Sequence, residues 1–161
     1  MRSARGVWLW VTLLVVTVMP VGAGEASEEE AVLRAVEHQL QALGSGNLDA
    51  VRESLAPHAV ISESHWTGDG WQQRVAPAAD RVIARMAGSL KDGSFTPFVE
   101  TIHDAEVRIA GGVAQVIAPY EFVSDSGYTA TGVDMWQLVL IEDRWRVTAI
   151  AYSHRATETT D

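Results

Sequence analysis

The sequence predicts an α+β fold, with three N-terminal helices packed on one face of a strongly curved antiparallel sheet. Apolar residues recur at helical spacing up to Leu90 and alternate with period two from Phe95 onward. Turn signals at Gly111-Gly112, Asp125-Ser126-Gly127 and Glu142-Asp143 divide the alternating part into strands. The helices precede the long meander instead of alternating with its strands, which is the α+β arrangement. A chain of 161 residues suffices for one domain with a real core, and no linker splits it.

The chain opens with "MRSARG", a 13-residue apolar run "VWLWVTLLVVTVM" and the small-residue exit "PVGAGEAS". A membrane span needs about 18–20 apolar residues. Two arginines, a shorter run and Val21-Gly22-Ala23 fit a secretory signal peptide over residues 1–23. An uncleaved anchor helix is the alternative. The mature domain is then 24–161, with its core at about 27–155, secreted or periplasmic and free of the membrane after cleavage. Losing Arg2 and Arg5 from 12 basic residues, against 21 acidic ones, leaves a net charge of −11. Such a surface repels phosphate backbones, which argues against nucleic acid. The absence of cysteine excludes a disulfide framework, a thiol nucleophile, a thiolate metal site and a lipid anchor at the exit.

Ser27, with Glu30 three residues on, forms a capping box for the first helix. Val32, Leu33, Val36, Leu40 and Leu43 form its apolar stripe, and Gly44 stops it. Asn47 caps a second helix, "LDAVRESLAP", which buries Leu48, Val51 and Leu55 and closes at Pro57. "HAVISESHW" reads as a short strand, "TGDG" as a loop, and the residues up to Pro77 as irregular. Pro77 suits the first turn of a third helix, whose buried face carries Ala79, Val82, Ile83 and Met86. Four strands follow: "FVETIHDAEVRIA", "VAQVIAPYEFVSD", "YTATGVDMWQLVLI" and "RWRVTAIAYSHR". The tail "ATETTD" is polar and frays.

The turns set the register, and register decides which residues share a face. A two-residue Gly111-Gly112 turn pairs Ala110 with Val113, Val107 with Val116, His103 with Tyr120 and Thr101 with Phe122. A three-residue Asp125-Ser126-Gly127 loop pairs Phe122 with Ala130, Tyr120 with Gly132, Ala118 with Asp134 and Val116 with Trp136. A two-residue Ser126-Gly127 loop would move Asp134 to the opposite face, but only the three-residue loop keeps apolar with apolar. A two-residue Glu142-Asp143 turn pairs Leu140 with Trp145, Leu138 with Val147, Trp136 with Ala149 and Asp134 with Ala151.

One face then collects Val107, Val116, Ala118, Phe122, Trp136, Leu138, Leu140, Trp145 and Val147 as core. His103, Tyr120 and Asp134 share it, beside small residues at one end. This pattern describes a tapered barrel with a pocket at its open mouth. The other face carries Ile117, Met135 and Ile150 beside Pro119, Val133 and Tyr152. A contiguous apolar patch of that kind points to a homodimer packed sheet to sheet through Ile117, Met135, Ile150, Val133 and Tyr152.

With "GVDMWQL" followed by "RWRV", residues 27–155 resemble the nuclear-transport-factor-2-like superfamily. These are cone-shaped α+β barrels that include ketosteroid isomerases and SnoaL-like polyketide cyclases. Arg144 stands where those proteins often have glycine. The resemblance implies a barrel of that shape. It also implies, for the enzymes of the superfamily, a pocket acid acting as general base. Asp134 is the acid that the inner face offers.

An acid desolvated beside Trp136 gains a raised pKa and becomes a usable proton shuttle. Tyr120 could donate to a developing enolate or alkoxide, and His103 could orient Tyr120 or relay a proton. Asp134, Tyr120 and His103 are therefore the candidate catalytic residues, with Trp136 and Phe122 as ligand-binding wall. The competing reading makes Asp134 a hydrogen-bonded rim residue. Glu63 and His65 alternate onto one face of the first strand and are assigned to the pocket rim. His58 is near them, but no further ligands stand at metal spacing, so no metal is expected. Ser62 and Ser64 lack a nucleophile elbow, and "GDG" precedes no phosphate-binding helix. The expectation is an exported domain that binds a small apolar ligand. The alternatives are an isomerase, cyclase or hydrolase needing no cofactor, and a non-catalytic dimerisation module.

Overall fold

The structure is a computed structural model that describes residues 22–76 and 79–157. The proposed signal peptide, apart from Gly22 and Ala23, lies outside the described residues, as do Pro77 and the last four residues of the tail. In order the elements are α1 (Gly22–Ser45), α2 (Leu48–Ser54), β1 (Leu55–Trp66), β2 (Trp71–Ala76) and α3 (Ala79–Asp92), then β3 (Phe98–Ile102), β4 (Glu106–Ala110), β5 (Val113–Ser124), β6 (Thr129–Ile141) and β7 (Arg144–Ala156). The strands form one curved sheet in the order β2-β1-β7-β6-β5-β3, with β4 also on β5. Its edges do not meet, so the predicted α+β class holds in the form of an open cone.

Several boundaries differ from the sequence reading. Helix α1 is described from Gly22, so Ser27 lies within the helix and not at its first position. Its stop is Gly46, not Gly44. Gly46 takes φ 72°, its N–H donates to the carbonyl of Leu43 at 3.2 Å, and the Asn47 N–H donates to Ala42 at 2.9 Å. Those two bonds satisfy carbonyls left open by the helix end. Gly44 serves packing instead, since a Cβ there would overlap the carbonyl of Phe98. Asn47 caps α2 as expected, accepting from the Ala50 N–H at 3.2 Å. That helix ends at Ser54, and β1 begins three residues before the predicted strand. The stretch after "TGDG" is the strand β2, paired antiparallel with β1.

The middle of the meander has the predicted register. Val116 faces Trp136, Ala118 faces Asp134, Tyr120 faces Gly132 and Phe122 faces Ala130. The three-residue loop is present, with the Ser124 N–H donating to Tyr128 at 2.9 Å. Beyond these strands, two extra residues change the faces. The predicted single strand from Phe98 to Ala110 is broken at His103–Ala105, where Asp104 has φ 44°. Ile102, not His103, therefore faces Tyr120, and Glu100, not Thr101, faces Phe122. On β7, Thr148 is the extra residue, and its hydroxyl donates to the Gln137 carbonyl at 3.1 Å. Ile150 therefore faces Trp136, and Tyr152 faces Asp134. A third departure is the parallel pairing of β1 with β7, where an all-antiparallel sheet was expected.

Each side chain follows from this parity. Val116, Ala118, Trp136, Leu138 and Val147 are buried with Val32, Val36, Leu40, Val51 and Ile83 from the helices and Leu55 from the start of β1. Full burial of a Val or Leu contributes about 1.5–3 kcal/mol, so this cluster is the main source of cohesion. Val107 and Trp145 pack against it half-buried. Leu140, expected in the core, is 43% exposed at the strand end beside the last hairpin. Ile150 and Tyr152, expected on the outer face, face inward. Val133 and Met135 remain exposed on the outer side.

Candidate functional site

A cavity of ≈ 320 Å³ opens between the sheet's concave face and the helices α1 and α3. Leu40 and Leu43 of α1 and Val82 and Met86 of α3 cover it. Phe98, Phe122, Trp136 and Ile150 form its apolar wall on the sheet, with the rings of Phe98 and Phe122 4.7 Å apart. Glu100, Tyr120, Asp134, Tyr152, Glu63, His154 and Arg85 supply its polar atoms. The volume suits a small molecule of one or two rings.

Glu100 on β3 and Asp134 on β6 share a hydrogen bond inside this space. Asp134 is only 4% exposed. Burial, then the charge and the hydrogen bond of Glu100, push the Asp134 carboxyl up to about 9. Glu100 is also raised by burial, while its bond from Asp134 pulls the other way. The proton therefore resides on Asp134, which donates to the Glu100 carboxylate. Two close carboxyls out of water cannot both ionise at neutral pH, and one shared proton resolves the conflict. The pair thus holds an acid and a base side by side.

Tyr120 is buried beside the pair, and its hydroxyl donates to the Ser153 carbonyl at 2.9 Å. The same oxygen lies 3.2 Å from Nδ1 of His154. A hydroxyl has one proton, so His154 must carry its proton on Nδ1 to donate to Tyr120. Nε2 of His154 then accepts from the Tyr128 hydroxyl. Burial, followed by the nearby His65, lowers the His154 pKa, with Glu63 opposing, which favours the neutral ring this chain requires. Burial, then the charges of Asp134 and Glu100, raise the Tyr120 phenol well above its ordinary range. It stays protonated and committed to Ser153, so at the acid pair itself the group that can turn its proton from Glu100 to a ligand oxygen is Asp134. Gly132 makes room for this ring. A Cβ there would overlap the Ser153 carbonyl oxygen and stand 2.7 Å from Cε1 of Tyr120.

The structure brings Asp134, Tyr120, Trp136, Phe122 and Glu63 to the cavity and leaves His103 outside it. His103 faces solvent, 3.9 Å from the Glu121 carboxylate, because the break after Ile102 turned it outward. His65 stands beside the cavity and not among its walls, its ring 5.3 Å from that of His154. Sequence reasoning missed Glu100, Tyr152 and His154. A signal existed in each case. Ile102 and Val107 are both apolar yet opposite in parity, as are Val147 and Ile150, so each pair demands one extra residue between them. Among the described residues, no group of three or more His, Asp or Glu side chains could hold a metal ion.

No family model matches the chain, and no curated protein matches it. Solved structures do. A nuclear-transport-factor-2-like protein of unknown function from Shewanella oneidensis aligns at 19% identity, covering 78% of this chain and 98% of its own, with a TM-score of 0.59. A protein provisionally assigned as a ketosteroid isomerase, from Shewanella frigidimarina, aligns at 20% identity over 76% and 94%, with a TM-score of 0.56. One provisionally assigned as a scytalone dehydratase, from Novosphingobium aromaticivorans, aligns at 14% over 85% and 89%, at 0.66. The chain has the fold of the nuclear-transport-factor-2-like superfamily, as its sequence suggested. At such identities the likeness is one of fold, and chemistry must be argued from the cavity.

The raised Asp134 carboxyl has a consequence for stability. Between the ordinary value of 3.8 and about 9, the folded chain holds a proton that the unfolded chain has lost. Stability therefore falls as pH rises through that window. Urea unfolding at stepped pH should show this decline in the wild type and a flatter profile in Asp134→Asn. Equal slopes in the two proteins would contradict the assignment.

Proposed function

We propose that this protein binds a small, mainly apolar carbonyl or hydroxyl compound and moves a proton on it, as an isomerase or dehydratase needing no cofactor. The observation that carries this reading is the Glu100–Asp134 pair, a half-buried carboxyl beside a buried one, facing a mainly apolar cavity. Solved relatives in fold include proteins provisionally assigned as an isomerase and a dehydratase, which makes the reaction class reasonable for this scaffold.

The chemistry balances within the pair. The Glu100 carboxylate takes a proton from the carbon beside a carbonyl, while Asp134 gives its proton to the carbonyl oxygen. The product is an enol, with Glu100 now protonated and Asp134 ionised. Return of the Glu100 proton to another carbon, and of the enol proton to Asp134, completes an isomerisation. Alternatively, the proton on Glu100 goes to a leaving hydroxyl and departs as water, and Asp134 recovers its own proton from the enol oxygen. Placing an acid and a base of suitable pKa on either side of one reacting group is worth about 100-fold to 10,000-fold for each proton transfer. Trp136, Phe122 and Phe98 would hold the apolar body, and Tyr120 would brace the wall without donating to substrate.

A panel of bicyclic ketones such as 2-tetralone in deuterated water tests this directly. The wild-type protein should speed deuterium entry beside the carbonyl, seen by proton NMR. Asp134→Asn and Glu100→Gln should each lower that rate about 100-fold or more. Wild-type rates in Asp134→Asn, or no acceleration across the panel by the wild type, would sink the proposal.

Self-association is a separate proposal, resting on Val133 and Met135, exposed together on the outer sheet face with Ile117 on the neighbouring strand. Light scattering should report a mass twice that of one chain, halved in Met135→Asp. An unchanged mass in the variant would refute this surface.

A further inference from the structure

We infer that the cavity takes an apolar acid, oriented with its carboxylate outward against Arg85 and its uncharged polar end at Glu100 and Asp134. This rests on the reading of the cavity as a ligand site. Arg85 follows Val82 by three residues, about one helical turn, and lines the cavity with Val82 and Met86, so the helix that roofs the cavity also brings a guanidinium to its rim. It is the one permanently positive group among the described residues that line the cavity.

Four other arginines of this acidic chain have partners among the described residues. Arg34 pairs with Glu30, Arg52 with Asp49 and Arg108 with Glu106, while Arg155 lies over the rings of Trp66 and Trp71. Arg85 has no ion pair or hydrogen bond among the described residues. Its five N–H donors form a fork that matches a carboxylate, and no acceptor among the described residues uses them.

The other end of the cavity dictates orientation. Glu100 and Asp134 carry one negative charge between them, so an anionic group cannot settle there without a second desolvated charge of like sign. A hydroxyl or carbonyl can, since it accepts from Asp134 or donates to Glu100. The rest of the wall is mainly aromatic and aliphatic, with Glu63, Tyr152 and His154 as further polar groups. An amine is the competing class, drawn to the carboxyl pair. An ammonium would share the cavity with Arg85, whose like charge opposes it, whereas a carboxylate is drawn to that guanidinium. The acid is favoured on both counts.

Three probes of equal size decide between these classes: naphthalene-2-carboxylate, naphthalene-2-carboxamide and naphthalen-2-ylmethylammonium. Calorimetric titration of the full chain at neutral pH should show the carboxylate binding about tenfold tighter than the carboxamide, the gain of one charge-assisted pair. Arg85→Gln, a change at an exposed position, should remove that preference by weakening the carboxylate more than the carboxamide. Equal affinity for carboxylate and carboxamide, tightest binding of the ammonium, or a preference that survives Arg85→Gln would each overturn the inference while leaving the cavity a ligand site. Binding of none of the three would overturn the ligand-site reading as well.

Discussion

Glu100 and Asp134 meet on the inner side of a curved sheet, where Asp134 is buried and Glu100 is half-buried, so little water is left to separate their charges. Each carboxyl alone would be costly there. Together they are tolerable because one proton serves both. The rest of the site follows from that arrangement. Tyr120 must remain protonated beside the residual charge, so its hydroxyl goes to the Ser153 carbonyl. His154 is then fixed as the neutral tautomer that donates to Tyr120, and Gly132 must lack a side chain to admit the ring. A stable pocket with ordinary surface acids would need none of these.

The pair exists only because two strands depart from simple alternation. A strand has two faces, and one extra residue exchanges them. Without the break after Ile102, Glu100 would face solvent and His103 would face Tyr120. Without the extra Thr148, Ala149 and Ala151 would face inward and Ile150 and Tyr152 outward. The cavity would lose most of its polar wall on β7 and half of its acid pair. These irregularities therefore assemble the site, as bulges near functional regions of sheets commonly do.

The architecture was legible in the sequence where pattern and turn chemistry agree. The three hairpins had turn residues that specify loop length, so the pairing of β5 with β6, and the inward placement of Asp134, could be counted out. The apolar stripes of α1 and α3 named their buried residues for the same reason. The strand β2 was not legible, because "WQQRVA" carries little alternation and its pairing with β1 supplies what the pattern lacks. The start of α1 was hidden by a capping box that the helix simply runs through. Glu100 and His154 were hidden because a count from the turns carries every bulge forward as an error of one. The opposed parities of Ile102 with Val107 and of Val147 with Ile150 were the available correction.

The shared proton is open to direct measurement. Carbon-13 labelling of the Asp and Glu side-chain carboxyls, with Asp134→Asn and Glu100→Gln for assignment, allows NMR titration of both groups. One carboxyl should remain protonated at neutral pH and lose its proton near 9, with its partner also titrating above the ordinary glutamate range. Two carboxyls that ionise fully at ordinary values below pH 5 would contradict the pair, and with it the acid–base chemistry assigned to the cavity.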